Sequence, residues 1–141
     1  MTYEIKHYDG INYTPAIQLI AEAQADLLRT GKSEPLLSAL WDNQVVAAFE
    51  GDYCIGVITW NYSAWLKTAS INIGYVDKNY RRKGIYRMLW DELVIKAREK
   101  GAVNITGSTH LDNAAMRAAA KALGRIESSV NLLYRIPEVQ K

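Results

Sequence analysis

Residues 70–86 read Ser70-Ile71-Asn72-Ile73-Gly74-Tyr75-Val76-Asp77-Lys78-Asn79-Tyr80-Arg81-Arg82-Lys83-Gly84-Ile85-Tyr86. The first seven alternate, which predicts a strand with Ile71, Ile73 and Tyr75 on one side. The following stretch is polar and basic and closes on Gly84. From Ile85 the apolar period lengthens from two to about three and a half, so a helix runs from there to Lys100. Strand, basic glycine turn and helix together suit a phosphate. A helix start leaves backbone N–H groups unpaired, its dipole favours negative charge, and a glycine lets an anion approach the main chain. Arg81, Arg82, Lys83 and Arg87 crowd that start, where cations oppose the dipole unless an anion faces them. A solvated basic turn capping an ordinary helix is the plainer alternative, and spacing alone does not separate the two.

Working outward, residues 44–50 and 53–62 read as two strands joined by Gly51-Asp52, a short antiparallel hairpin. Upstream, residues 3–8 alternate with Tyr3, Ile5 and His7 on one side. Thr14-Pro15 is a helix start, hydroxyl cap followed by proline at the first helical position. Ile17, Ile20, Ala21, Leu27 and Leu28 give that helix an apolar face ending near Gly31, and residues 35–41 suggest a second short helix. Downstream, Ile85, Leu89, Leu93 and Ala97 form the buried stripe of the central helix, which Gly101 closes. Residues 102–109 form the next strand, parallel to the strand at Ser70 if the crossover is right-handed. Asp112-Asn113 caps a helix over residues 114–123 that is slim with alanine, a pattern that helix propensity largely explains. Val130, Leu132, Tyr134 and Ile136 alternate through a terminal strand.

At 141 residues the chain is a single domain, 1–141, large enough for a real core. A net charge of +2 is too small to make nucleic acid the main partner. One cysteine, Cys54, excludes an internal disulfide framework and a Cys/His metal cluster, and fits a reducing cytoplasm. No apolar run reaches the ~18 residues that span a bilayer, so no membrane is expected.

The loop's wording is familiar. Val76-x-x-x-Tyr80-Arg81-x-x-Gly84-x-Tyr86 resembles the coenzyme A loop of the GNAT superfamily, the acyl-CoA-dependent N-acyltransferases, whose signature is Gln/Arg-x-x-Gly-x-Gly/Ala. Arg81 and Gly84 match. Tyr86 departs from the small final residue, and its bulk either crowds the pyrophosphate or points away from it. A second family pattern, Asn-x-x-Ala-x-x-x-Tyr-x-x-x-Gly, is met by Asn113 and Gly124 at the same spacing, with Met116 at the small position and Ala120 at the tyrosine position. The resemblance runs from the first strand to about Ile136. It implies an α/β fold with a GNAT-like mixed, mostly antiparallel sheet, a central parallel strand pair and flanking helices.

The same resemblance implies acetyl-CoA as co-substrate and attack of a primary amine on its thioester. Tyr75 and Val76 would hold the pantetheine arm through their backbone. The amides of Arg82, Lys83, Gly84, Ile85 and Tyr86 would hold the pyrophosphate, and Arg81, Lys83 and Arg87 would reach phosphates. Asn113 would sit near the pantetheine, and amides near Val76 would polarise the carbonyl. In many members the tyrosine at the position of Ala120 protonates the departing thiolate. Its loss typically removes a factor of roughly 10²–10⁴, not all activity. Many relatives place a glutamate on the fourth strand to deprotonate the amine, but residues 70–76 carry no carboxylate. Tyr62, Asn72 holding a water, His110 and Glu50 are the substitutes, though a lone histidine after a strand is more often an ordinary loop residue.

Trp41, Tyr53, Trp60, Tyr62 and Trp65 flank the side where acceptors of this family bind, and an aromatic pocket there suits an apolar or cationic amine. Trp60 reads as core and Trp65 as exposed. Cys54 reads as a buried small residue without an activating partner. The leading reading is thus an N-acetyltransferase acting on a small-molecule or peptide amine. The alternative keeps the coenzyme site without the chemistry, as a CoA-binding regulatory module. Strand edges near the C-terminus permit a homodimer.

Overall fold

The computed structural model describes residues 2–10, 15–29 and 44–139. The cap expected at Thr14, the end at Gly31, the short helix at 35–41 and Trp41 lie outside the described residues. The elements are β1 (Glu4–Asp9), α1 (Ile17–Arg29), β2 (Gln44–Glu50), β3 (Tyr53–Ser63), β4 (Thr68–Val76), α2 (Ile85–Lys100), β5 (Asn104–Gly107) and α3 (Ala114–Ala122), with one 3-10 turn at Lys78–Tyr80. They build one five-stranded sheet in the order β1-β2-β3-β4-β5. The first three pairings are antiparallel, and β4 and β5 run parallel across the α2 crossover. This is the mixed, mostly antiparallel α/β sheet that the sequence predicts.

Each face of the sheet carries its own core. Leu19, Ile20 and Ala23 of α1 pack on Val45, Ala47, Phe49, Val57 and Ile73. On the other face Ile85, Leu89, Leu93 and Ala97 of α2 pack on Val46, Ala48, Ile55, Ile58, Trp60 and Ala69. Strand β2 is covered on both sides, which is why it reads as a nearly unbroken apolar run rather than an alternation. Burying a side chain such as Leu89 or Leu93 contributes about 1.5–3 kcal/mol, so the α2 stripe fixes the start of that helix firmly against the sheet.

Three expectations fail, for identifiable reasons. The single face expected for Ile71, Ile73 and Tyr75 is split. Thr59 pairs with Ile73 and Trp60 with Ile71, so Asn72 is an extra residue opposite no partner. That bulge reverses the alternation: Ile71 joins the α2 core, while Ile73 and Tyr75 join the α1 core. The terminal strand is absent: residues 125–139 have no regular structure, and Val130, Leu132, Tyr134 and Ile136 are exposed. Alternation supplies a face but not a ladder. Here β5 is only four residues long and α3 has no buried residue, so the tail is offered little surface to pair with or cover. Strand β5 is itself shorter than the expected 102–109, because its pairing with β4 ends at Ile71 and Gly107.

Candidate functional site

Beyond Ile71 the two parallel strands part, and β4 continues with one edge open. The direction of its main chain follows from two bonds. Asp77 N–H donates to the Ile55 carbonyl at 2.8 Å and Ile73 N–H to Thr59 Oγ1 at 3.1 Å, both toward β3. Strand main-chain groups alternate sides, so those of Gly74 and Val76 face the open edge. Tyr75, expected to offer its backbone there, turns it to β3 instead. Its hydroxyl reaches Asp26 Oδ2 at 3.3 Å on the α1 side. Gly74 is the residue that sequence reasoning missed. The available signal was a glycine inside a strand, which marks close approach of another group.

The loop after β4 is held at both ends. The Asp77 side chain accepts from Asn79 N–H at 2.9 Å, setting the 3-10 turn. The Tyr80 hydroxyl donates to Glu50 Oε1 at 3.0 Å. Arg81 Nε donates to the Val76 carbonyl at 3.0 Å, and its guanidinium lies 5.3 Å from the Tyr75 ring centre. Arg81 thus closes the loop on itself rather than projecting freely. Arg82 (φ 63°) and Gly84 (φ 77°) are both left-handed, a backbone pattern that turns successive N–H groups into a concavity for anions. No side chain caps α2, whose first intrahelical bond runs from Met88 N–H to the Gly84 carbonyl at 3.2 Å. Among the described residues, no protein group accepts from the amides of residues 82–87.

These amides open on a hollow of about 240 Å³ lined by Val76, Tyr80, Arg81, Arg82, Gly84, Ile85, Tyr86 and Arg87. Arg87 pairs with Asp91 at 3.4 Å, an exposed i,i+4 contact of little strength. Lys83 lies over the Tyr80 ring at 5.3 Å. Uncapped amides, two left-handed residues and clustered cations fit a diphosphate. Tyr86 does not fill the hollow with its ring, which turns down onto β4: a Cβ on Gly74 would stand 3.1 Å from its Cε2.

The other candidates are dispersed. Asn72 is the bulge residue and donates its side-chain amide to Asn61 Oδ1. Tyr62 places its hydroxyl 3.3 Å from where a Cβ on Gly101 would stand, at the far end of the 16-residue α2, about 24 Å from the hollow. His110 lies in the turn before α3, accepting on Nδ1 from Asp112 N–H at 3.1 Å. Glu50 serves Tyr80, and that bond is the main reason the Tyr80 phenol sits above its ordinary pKa. Asn113 caps α3, accepting from Met116 N–H at 3.2 Å and donating to Thr109 Oγ1 at 3.1 Å. Ala120 stands in α3 without a hydroxyl. Trp60 is fully buried and Trp65 is 92% exposed. Burial pushes the Cys54 thiol up to about 11, leaving it inert near neutrality. Among the described residues no group of three His, Cys, Asp or Glu could hold a metal, and no helix is long and apolar enough to cross a membrane.

A sequence profile of the acetyltransferase (GNAT) family matches residues 16–124. No curated protein sequence matches significantly. Several solved structures share the fold. An aminoglycoside acetyltransferase from an uncultured soil metagenomic sample, in complex with sisomicin, is 22% identical with a TM-score of 0.73, covering 96% of this chain and 97% of its own. A ribosomal-protein-alanine N-acetyltransferase from Brucella melitensis biovar Abortus 2308 is 15% identical with a TM-score of 0.71, covering 96% and 100%. An aminoglycoside N-acetyltransferase in complex with CoA is 15% identical with a TM-score of 0.71, covering 96% and 95%.

Proposed function

This chain belongs to the acetyltransferase (GNAT) family and is by that membership an acyl-CoA-dependent N-acetyltransferase, and we propose that it moves an acetyl group from acetyl-CoA to a primary amine by direct attack. The observation that carries this reading is the row of uncapped amides over residues 82–87 beside the open edge of β4. When bound, the coenzyme supplies an activated acyl group on a thiol leaving group.

In this reading the amides of Arg82, Lys83, Gly84, Ile85 and Tyr86 hold the diphosphate, and Arg81, Lys83 and Arg87 offset its charge. Gly74 and Val76 receive the pantetheine arm as an added strand, with Asn113 nearby. Gly74 N–H then faces the thioester carbonyl and stabilises the charge that develops on its oxygen. Strand β4 carries no carboxylate, and none of Asn72, His110, Tyr62 and Glu50 is assigned as the base. The attacking amine therefore arrives already neutral. An alkyl ammonium ionises near 10.4, so kcat/KM should rise about tenfold per pH unit between pH 7 and 9. A plateau near pH 7 would reveal an internal base.

The acceptor is a primary amine on a small molecule or a peptide, a range spanned by the names of the structural neighbours. We read residues 1–141 as a single domain acting in the cytoplasm, where a lone cysteine is at home, with C-terminal strand edges open to a homodimer. Isothermal titration with acetyl-CoA tests the first step. Saturable one-site binding, with thiol released on adding an amine from a panel of polyamines, aminoglycosides and peptides, is the expected result. No saturable binding at millimolar ligand would overturn it.

A further inference from the structure

The hydroxyl of Tyr86 lies beside Gly74 on the open stretch of β4. A Cβ built on Gly74 would stand 3.4 Å from the Tyr86 Oη and 3.1 Å from its Cε2, so a side chain there would crowd the phenol. Behind it stands Arg125, whose Nη1 donates to that Oη at 3.4 Å. The arginine is itself held in place. Its guanidinium lies 4.8 Å from the Trp90 ring centre, and its main-chain N–H donates to the Ala120 carbonyl at 3.0 Å. A Cβ on Gly107 would come within 2.8 Å of its Nη2. Gly74 thus leaves room for the phenol, and Gly107 borders the guanidinium, in the cleft where β4 and β5 part. Because Arg125 donates, the phenol's own proton is not spent on it. Among the described residues nothing accepts that proton.

We propose that Tyr86 is a catalytic residue that protonates the departing sulfur, and that Arg125 is its positioning residue. The proposal rests on the coenzyme reading above, which places the thioester at the Gly74 edge. As the carbon–sulfur bond breaks, its electron pair goes to sulfur, and sulfur takes the proton of the Tyr86 hydroxyl. The phenolate so formed faces the Arg125 cation and recovers a proton, through solvent, from the nitrogen that has become an amide. Charge and protons balance: one thioester and one amine give one amide and one thiol. Burial raises the phenol above its ordinary pKa and Arg125 partly offsets this, so the group is protonated at neutral pH. The helix residue Ala120 has no hydroxyl to offer, and the hydrogen bond from the Arg125 main-chain N–H to its carbonyl sets the donor pair against that helix end instead.

The test compares the full chain with Tyr86→Phe, which keeps the ring on Gly74 and removes only the hydroxyl. Binding of CoA and of desulfo-CoA, which lacks the sulfur, is measured by titration calorimetry at pH 7 and pH 9.5. A thiolate forms on CoA across this range, near a pKa of about 8.5, and accepts a charge-assisted bond from the phenol. In the wild type the affinity ratio of CoA to desulfo-CoA should rise roughly tenfold with pH. In Tyr86→Phe it should stay flat, with desulfo-CoA affinity unchanged. Arg125→Met should reduce the rise and Arg125→Lys restore part of it. Thiol release with an amine acceptor should fall roughly 10²-fold or more in Tyr86→Phe, with KM for acetyl-CoA within about twofold. Equal ratios in the two proteins, or wild-type turnover in Tyr86→Phe, overturns the role of Tyr86 and leaves the coenzyme site standing. Failure of the wild type to bind either ligand overturns both.

Discussion

Gly84 holds φ at 77° with open space where a side chain would begin, so its conformation and not crowding requires the glycine. Gly84→Ala should cost about 1 kcal/mol in urea unfolding and weaken acetyl-CoA further by tilting the amides that follow. His7 carries the other prediction at this scale. Burial holds its imidazole below the ordinary value; Lys96 and Lys100 add to that, while Asp9 and Glu92 oppose it. Above about pH 6.5 the group is neutral folded and unfolded, and its full contribution is present. As pH falls below that, the unfolded chain takes a proton that the folded chain resists, and stability drops. The urea midpoint should therefore fall between pH 7.5 and 5.0. The fall should be smaller in His7→Phe, which keeps the ring beside Trp60, 5.9 Å away. At this scale the sequence revealed residue types better than their tasks. Arg81 and Gly84 were visible in the loop, yet Arg81 spends its Nε on the Val76 carbonyl. That is a local closure that charge patterning does not report. Gly74 and Arg125 matter through contacts to Tyr86 made in the folded chain, the second across 39 positions, which no short-range pattern carries.

Among the elements, α2 was the most legible: its stripe of Ile85, Leu89, Leu93 and Ala97 is buried as the period predicts. Leu89→Ala should cost about 2–5 kcal/mol, read as a lower urea midpoint, because Leu89 is fully buried between the helix and β3. Strand β4 was legible in existence but not in facing. A bulge adds one residue and leaves the local alternation looking intact, so the swap of Ile73 and Tyr75 to the α1 side is silent in the sequence. Gly74→Val should overpack the Tyr86 ring, cost about 1–3 kcal/mol and abolish coenzyme binding at the edge. Unchanged binding in that variant would place the pantetheine elsewhere.

At the scale of the whole molecule, the order β2-β3-β4-β5 followed from spacing, because short turns join the antiparallel neighbours β2, β3 and β4 and one helix joins the parallel pair, whereas β1 pairs with β2 across α1. The C-terminal region did not follow. Ile126, Val130, Leu132, Leu133, Tyr134 and Ile136 are exposed and the outer strand β5 is short, features that favour pairing between copies. Sedimentation should show a concentration-dependent dimer, lost on truncation after Arg125; a monomer at all concentrations would refute the homodimer. The family assignment does not depend on this tail, since the profile match ends at residue 124.

Coenzyme binding by this chain turns on main-chain donors at the head of α2, and amide resonances report on them directly. Titrating acetyl-CoA into isotopically labelled protein should shift the amides of residues 82–87 and of Gly74 and Val76, all saturating with one dissociation constant. Saturable binding that leaves residues 82–87 undisturbed would contradict it.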